Sequence, residues 1–234
     1  GADTVRVVEE MATRYIVAMR EVQPDGPYRL GGYCFGGIVA FEMARQLEAQ
    51  GERVALLAIL EGNAPGIRTP RPPLLAPARW RAVRRSLPYW IRDLRASGQA
   101  DFWRRAATKV RRARFLVSQH LGLHRKFTLR DVFPADTAVL DPTQQTLMYS
   151  HLMAQHAYRP GRYDGRIDLF LGKGHTMSQA LYGSLDPTAG WGQVADDVDV
   201  CLVEGLHRNI HLPPYVTSLG AELAARLDRS DGWE

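Results

Sequence analysis

The amino-acid sequence predicts an α/β domain built around a parallel β-sheet. A predicted strand at 28–33, a predicted helix at 35–49 and a second strand at 54–60 follow one another with short links. The second strand is continuously apolar, which is typical of a strand covered on both faces. Strand, helix and strand in this order form a βαβ unit with parallel strands. The same alternation returns after residue 140, on the far side of an interruption.

Each remaining element has its own sequence signal. Apolar residues at helical spacing predict a first helix over 7–19, which Asp3 or Thr4 could cap. Gly51 is a natural terminator for the next helix. The elements predicted after residue 140 are a helix over 142–158, strands over 166–171 and 198–204, and a final helix over 214–227.

Length and composition fit a single globular domain. The 234 residues include 45% hydrophobic and 24% charged side chains, which argues against disordered and fibrous proteins. No apolar run approaches the ~18 residues of a transmembrane helix, and the first residues lack the basic and apolar regions of a signal peptide. Two cysteines cannot form a disulfide framework. We therefore expect a cytoplasmic protein without a membrane partner.

A strongly basic segment interrupts the α/β pattern. Residues 66–130 carry 17 basic and two acidic side chains, whereas the rest of the chain carries 13 basic and 23 acidic ones. Two basic amphipathic helices are expected in this segment, over 78–96 and 101–120. The predicted domain boundaries are 1–234 for the whole domain, 1–65 and 141–234 for its core, and 66–140 for an insertion.

Aromatic residues lie among the arginines of this segment, at Trp80, Trp90 and Trp103. Their near-helical spacing favours packing of the segment onto the body of the domain over stacking against bases, so no nucleic-acid partner is expected. A solvated helix face or an anionic partner would also account for the positive charge.

Cys34 lies in a sequence that is typical of a nucleophile. The segment Gly32-Tyr33-Cys34-Phe35-Gly36 stands between a predicted strand and a predicted helix. Small flanking residues permit the tight turn of a nucleophile elbow, which lifts the central side chain above the sheet. The helix N-terminus favours a thiolate, and the N–H of Phe35 would be one donor of an oxyanion hole. A glycine-rich turn around a structural cysteine is the alternative interpretation.

His207 and Glu61 are the candidate partners of this thiol. His207 follows the last predicted strand and would act as the general base. Glu61 ends the strand after the elbow helix, so it emerges at the same sheet edge as Cys34 and would orient the imidazole. No acid directly follows the strand at 166–171, and Asp186 is the second choice for the acid.

Residues beside these three are candidate substrate contacts: Tyr33, Asn63, Arg208 and Asn209. Arg208 and Asn209 could equally cap the final helix. His211 lies close to the candidate base, but two histidines without a nearby acid or thiol make a weak metal site. No metal is therefore expected.

Six separated segments share their order and spacing with one known family. They are Val8-Glu9-Glu10-Met11-Ala12, 26–37, 57–61, 163–170, Gly190-Trp191 and 203–207. Together they resemble the chain-releasing (type I) thioesterase domains that end non-ribosomal peptide synthetases. The resemblance implies an α/β-hydrolase fold and covers nearly the whole chain outside 66–140. In that segment the family carries a variable helical lid, which is how we interpret the basic insertion.

The chain departs from the family pattern in three respects. Most members have serine where this chain has Cys34, and the family's usual aspartate matches Glu61, which is one methylene longer. The family's N-terminal strands, with the loop that donates the second oxyanion N–H, have no counterpart in this chain. We expect them in an upstream segment, because four strands make a thin sheet for this fold.

The resemblance also implies a substrate and a reaction. Members capture a peptidyl chain from the phosphopantetheine thiol of an upstream peptidyl carrier protein and release it to water or to an internal nucleophile, with no bound cofactor. With a cysteine nucleophile the chain is similar to domains that close β-lactams (the sulfazecin monobactam type) or β-lactones (the obafluorin type). We rank the β-lactam type first. An arginine-rich lid would suit an anionic substrate. A hydrolytic or proofreading thioesterase and a non-catalytic carrier-docking module are the alternatives.

Overall fold

A computed structural model describes residues 7–67, 73, 75–93, 95, 141–174, 180 and 184–231. The helices and strands over these ranges are α1 (Val8–Val22), β1 (Tyr28–Tyr33), α2 (Phe35–Ala49), β2 (Val54–Leu60), α3 (77–93), α4 (Pro142–Ala157), β3 (Ile167–Gly172), β4 (Val198–Val203) and α5 (Val216–Asp231), with a 3-10 helix at Trp191–Gln193. The predicted α/β class is confirmed, because helices alternate with parallel strands along the chain.

The chain forms two compact units. The larger combines Gly1–Tyr89 with Met153–Glu234 and contains all four strands named above, and the smaller is Trp90–Leu152. Within the smaller unit the described residues are helical at 90–93 and 95 and in the first part of α4. The predicted helix over 101–120 lies outside the described residues, and the insertion boundaries stay a prediction.

The four strands form one parallel sheet in the order β1-β2-β3-β4. Tyr33 pairs with Leu60, Leu60 pairs with Phe170, and Gly172 pairs with Val203. The carboxyl ends of the strands therefore meet at one edge of the sheet. In open α/β sheets this is the edge at which ligands bind.

Burial on both faces of the sheet explains why apolar and polar residues do not alternate along β2. Leu57 and Ile59 belong to the hydrophobic cluster that packs α1 and α2 on one face of the sheet. Leu56 and Ala58 belong to a second cluster, which includes Leu219 of α5 on the other face. Successive side chains of a strand point to opposite faces, so a strand buried on both sides is apolar throughout.

The start of α1 and the packing of Trp80 differ from the sequence predictions. Helix α1 begins at Val8 with the extended residue Val7 at its N-cap, so the expected cap from Asp3 or Thr4 is wrong; Glu9 and Glu10 in the first turn face the positive end of the helix dipole instead. Trp80 is 55% exposed, which contradicts its expected packing onto the body. Trp90 is half-buried, and Trp103 lies outside the described residues.

Strand β3 runs one residue later than expected, and α5 begins two residues later and ends at Asp231. Across the described part of the chain, no helix combines the length and the apolar character needed to cross a membrane.

Candidate active site

Three strand ends bring the candidate catalytic residues to one edge of the sheet. Cys34 directly follows β1, Glu61 directly follows β2, and His207 lies four residues after the end of β4. The N–H of Cys34 donates to the carbonyl of Leu60, and the N–H of Glu61 donates to the carbonyl of Phe170, each at 2.8 Å. These main-chain bonds extend the sheet register into the turns that carry both side chains.

Cys34 occupies a strained turn between β1 and α2. Its φ of 53° and ψ of −113° lie outside the regions that residues with a Cβ normally adopt, a strain that costs about 1–3 kcal/mol. The turn closes because Gly32 has no side chain: a Cβ there would lie 2.1 Å from the carbonyl carbon of Gly36. This is the geometry of a nucleophile elbow, as the glycine spacing predicts.

Glu61 bridges a main-chain donor and the candidate base. Its Oε2 lies 3.1 Å from Nδ1 of His207, and its Oε1 accepts the N–H of Gly172 at the end of β3. The Glu61 side chain is 7% exposed. A Cβ on Gly172 would lie 2.9 Å from Oε1, so the missing side chain of this glycine provides space for the carboxylate.

The thiol of Cys34 and the imidazole of His207 are hydrogen-bonded. With Nδ1 turned to Glu61, Nε2 is the nitrogen left for the thiol. This bond lowers the pKa of Cys34 against the opposing effect of burial, and the N–H of Phe35 lowers it further. The same bond, followed by the bond to Glu61, raises the pKa of His207. The arrangement therefore favours a thiolate paired with an imidazolium.

Local hydrogen bonds and one glycine shape the loop that carries His207. Gly205 has a φ of 115°, which favours glycine. The N–H of Leu206 donates to Oδ1 of Asn209 at 2.7 Å, and the N–H of Ile210 donates to the carbonyl of Leu206. Asn209, a candidate substrate contact, thus uses its amide oxygen to close the turn around His207.

The other candidate substrate contacts lie around the same edge. Tyr33 ends β1, its hydroxyl donates to the carbonyl of His207, and its ring stacks on the imidazole. Asn63 is exposed, two residues beyond Glu61. Arg208 is half-buried, and burial lowers the pKa of its guanidinium. Contact of these residues with a substrate stays a prediction.

Trp191 supports the segment that follows Glu61, a role that the sequence did not reveal. Its indole is fully buried, and its Nε1 donates to the carbonyl of Gly62 at 2.8 Å. Asp186, the second choice for the acid, builds the turn before it: its carboxylate accepts the N–H and hydroxyl of Thr188 and the N–H of Gly190. The carboxylate that meets His207 is that of Glu61.

Within the parts of the chain that the structure describes, no group of three or more His, Cys, Asp and Glu side chains could hold a metal ion. His211 instead presents its imidazole edge-on to the ring of Tyr33, with the ring centroids 5.0 Å apart.

Comparison with known proteins places this geometry in context. A family model described as "Thioesterase domain" matches residues 1–212. The chain is 50% identical over 63 residues, 27% of its length, to the non-reducing polyketide synthase PKS16 of Cladonia grayi, of which the match covers 3%. The chain thus spans a small fraction of this curated relative.

Two solved structures share the fold. The NocB thioesterase domain, in covalent complex with a fluorophosphonate nocardicin G analog, has a TM-score of 0.57 at 20% identity, over 97% of this chain and 77% of that one. The four-domain non-ribosomal peptide synthetase AB3403, bound to AMP and glycine, has a TM-score of 0.58 at 25% identity, over 96% of this chain and 16% of that one. The predicted α/β-hydrolase-like fold is confirmed by this likeness.

Proposed function

The chain belongs to the thioesterase-domain family, and on that premise we propose that it releases a peptidyl chain from a carrier-protein phosphopantetheine thioester through an acyl-enzyme on Cys34. The observation that carries the proposal is the meeting of Cys34, His207 and Glu61 at one sheet edge, with Oε2 of Glu61 3.1 Å from Nδ1 of His207. A nucleophile, a base and a group that orients the base are the parts that acyl transfer requires.

In the first half-reaction the Cys34 thiolate attacks the carbonyl carbon of the carrier-bound thioester. We assign the N–H of Phe35, the first residue of α2, as one donor to the oxyanion that forms. As the tetrahedral intermediate collapses, the bond to the pantetheine sulfur breaks, and His207 gives its proton to the departing thiolate. The products are acyl-Cys34, a free carrier thiol and a neutral imidazole.

In the second half-reaction His207 acts as the base. A nucleophile loses its proton to Nε2 as it attacks the acyl-Cys34 carbonyl, and the Cys34 thiolate leaves. Glu61, bonded to Nδ1 at 3.1 Å, stabilises the imidazolium that results. The thiolate–imidazolium pair is thereby restored for the next turnover.

We propose further that the second nucleophile belongs to the peptide itself. Transfer of an acyl group from one thiol to another is nearly thermoneutral, so acyl-Cys34 keeps the activation that an acyl-serine oxyester would lose. Attack by the β-nitrogen of the final residue on its own carbonyl closes a four-membered β-lactam, a strained product that needs an activated donor. Attack by a β-oxygen would give a β-lactone, and attack by water would give the free acid.

The implied partner is an upstream peptidyl carrier protein, which delivers the substrate on its phosphopantetheine. Neither half-reaction assigns a step to a metal or a bound cofactor, so the proposal includes neither, and it assumes a cytoplasmic protein with no nucleic-acid partner. The net positive charge of 66–130 would attract an acidic carrier or an anionic peptide.

Product analysis tests the proposal. The protein is incubated with the pantetheine thioester of a dipeptide whose final residue carries a nucleophilic β-nitrogen, beside the Cys34→Ser variant. We expect a cyclic product, lighter than the free acid by one water, from the native chain, and slow hydrolysis or a stalled acyl-enzyme from Cys34→Ser. Free acid alone would indicate a hydrolytic or proofreading enzyme, and no turnover would favour a carrier-docking module.

A further inference from the structure

Tyr33 makes two contacts with the residue proposed as the base. Its hydroxyl donates to the main-chain carbonyl of His207, and its ring stacks on the His207 imidazole with centroids 5.3 Å apart and planes at 28°. His211 closes the other side of the Tyr33 ring, edge-on at 5.0 Å. Because Tyr33 directly precedes Cys34, the turn that carries the nucleophile also holds the loop that carries the base.

The path of the chain shows why such a contact matters. Strands β1 and β4 are separated by β2 and β3, which puts them about 14 Å apart at roughly 4.8 Å per strand, so the loop after β4 must extend along the sheet edge toward β1 to bring His207 to Cys34. The bonds of Leu206 to Asn209 and of Ile210 to Leu206 lie within the loop itself. They fix its shape, whereas the hydroxyl of Tyr33 attaches it to β1.

We propose that Tyr33 is a positioning residue, which holds His207 at the point where its imidazole meets both Cys34 and Glu61. The bond to the carbonyl fixes the main chain of His207, and the stacked ring restrains rotation of the imidazole. The consequence for catalysis rests on the proposed function, since it requires that His207 act on Cys34. The positioning itself is a property of the resting protein.

The hydroxyl of Tyr33 remains a donor over the working pH range. The titratable groups around its ring are Cys34, Glu61, His207 and His211. Burial, followed by the negative charges of Cys34 and Glu61, raises the pKa of Tyr33 to about 12. The attachment therefore persists at any pH at which the thiolate–imidazolium pair exists.

The test compares Tyr33→Phe with a matched control, Tyr28→Phe. Tyr28 lies on the same strand, is fully buried, and donates its hydroxyl to a main-chain carbonyl, that of Pro24, at the end of β1 remote from Cys34. Each variant loses one hydroxyl and keeps its ring. The first measurement is the rate of Cys34 alkylation by iodoacetamide against pH in the resting protein, and the second is kcat and KM for thioester release.

We expect Tyr33→Phe to raise the pH midpoint of Cys34 alkylation by up to about one unit, and to lower kcat about three- to tenfold with little change in KM. Tyr28→Phe should lower the melting temperature without moving the midpoint. An unchanged midpoint in Tyr33→Phe, or an equal shift in Tyr28→Phe, would overturn the positioning role. A native protein that never forms an acyl-enzyme would contradict the proposed function instead, while the alkylation profiles would still report on Tyr33.

Discussion

The carboxylate of Glu61 occupies space beside Gly172, at the end of the next strand, where a side chain on that residue would crowd it. One oxygen of Glu61 accepts the N–H of Gly172, and the other lies 3.1 Å from Nδ1 of His207. A Cβ on Gly172 would also lie 2.8 Å from the carbonyl oxygen of Gly205, in the loop that carries the base. The acid, its support and the histidine loop thus form one packed unit.

Removing the charge of Glu61 should slow catalysis without unfolding the protein. In Glu61→Gln the shape is kept, but the imidazolium loses its negative partner, and we expect kcat to fall about 10- to 100-fold. The matched control is Glu204→Gln, which changes a carboxylate bonded to Lys173 and Tyr89. Equal loss in both variants would contradict the role of Glu61, and kcat with a pantetheine thioester is the measurement.

The two cysteines should differ in reactivity with iodoacetamide. The bond to His207 lowers the pKa of Cys34, whereas burial raises the pKa of Cys201. Cys34 therefore carries a larger thiolate fraction than Cys201 at neutral pH, and we expect it to react about 10- to 100-fold faster than Cys201 at pH 7. Peptide mapping by mass spectrometry gives the two rates, and His207→Ala should abolish the difference.

The pH dependence of release follows from the same pair. As pH falls through the lowered pKa of Cys34, the thiol becomes protonated and the nucleophile is lost. As pH rises through the raised pKa of His207, the imidazolium that protonates the departing thiolate is lost. We expect a bell-shaped profile of kcat/KM with a wide plateau. A profile that keeps rising through the range of an ordinary thiol would show that no ion pair exists.

Alanine substitutions at two glycines of the elbow should differ strongly in their effect on stability. A methyl group on Gly32 would meet the backbone of Gly36 and Gly37, at 2.1 and 2.5 Å, whereas one on Gly36 meets nothing within 4 Å. Gly32→Ala should therefore fail to fold or lose several degrees of melting temperature, while Gly36→Ala should fold with native stability. Thermal melts give the melting temperatures of both variants, and equal values would show that the missing side chain of Gly32 is not required for the turn.

Trp191 should link stability to activity. Trp191→Phe removes the donor to the carbonyl of Gly62 and leaves a cavity, which we expect to cost about 2–4 kcal/mol of unfolding free energy and to lower kcat by displacing Glu61. Trp80→Phe, at a position 55% exposed, is the control and should stay within about 0.5 kcal/mol of the native protein. Chemical denaturation measures the free energy of unfolding of both variants. A decrease in Trp191→Phe no larger than that in Trp80→Phe would show that the hydrogen bond of the indole does not stabilise the protein.

The features that the sequence predicts correctly are those signalled by a local pattern of residues. Glycines around Cys34 between a strand and a helix predict the elbow, and strand ends predict where Glu61 and His207 emerge. The bounds of α2 and β2 agree with the structure because Gly51 and a continuous apolar run mark them.

The supporting residues could not be found in the same way. Gly172 contributes an N–H and the space left by its missing side chain, and both matter to Glu61 only in the register that pairs Leu60 with Phe170. Tyr33 acts on a residue 174 positions away, and its contact depends on a loop that starts at β4, on the far side of β2 and β3. Such roles belong to tertiary structure, and no local pattern in the sequence signals them.

Intact-protein mass spectrometry determines whether Cys34 carries the acyl group during release. The native protein, Cys34→Ala and Cys201→Ala are each mixed with a peptidyl-pantetheine thioester and quenched in acid within the first turnover. We expect a mass increase of one peptidyl group on the native protein and on Cys201→Ala, mapped to Cys34, and none on Cys34→Ala. An adduct that persists in Cys34→Ala, or product formation by that variant at the native rate, would contradict it.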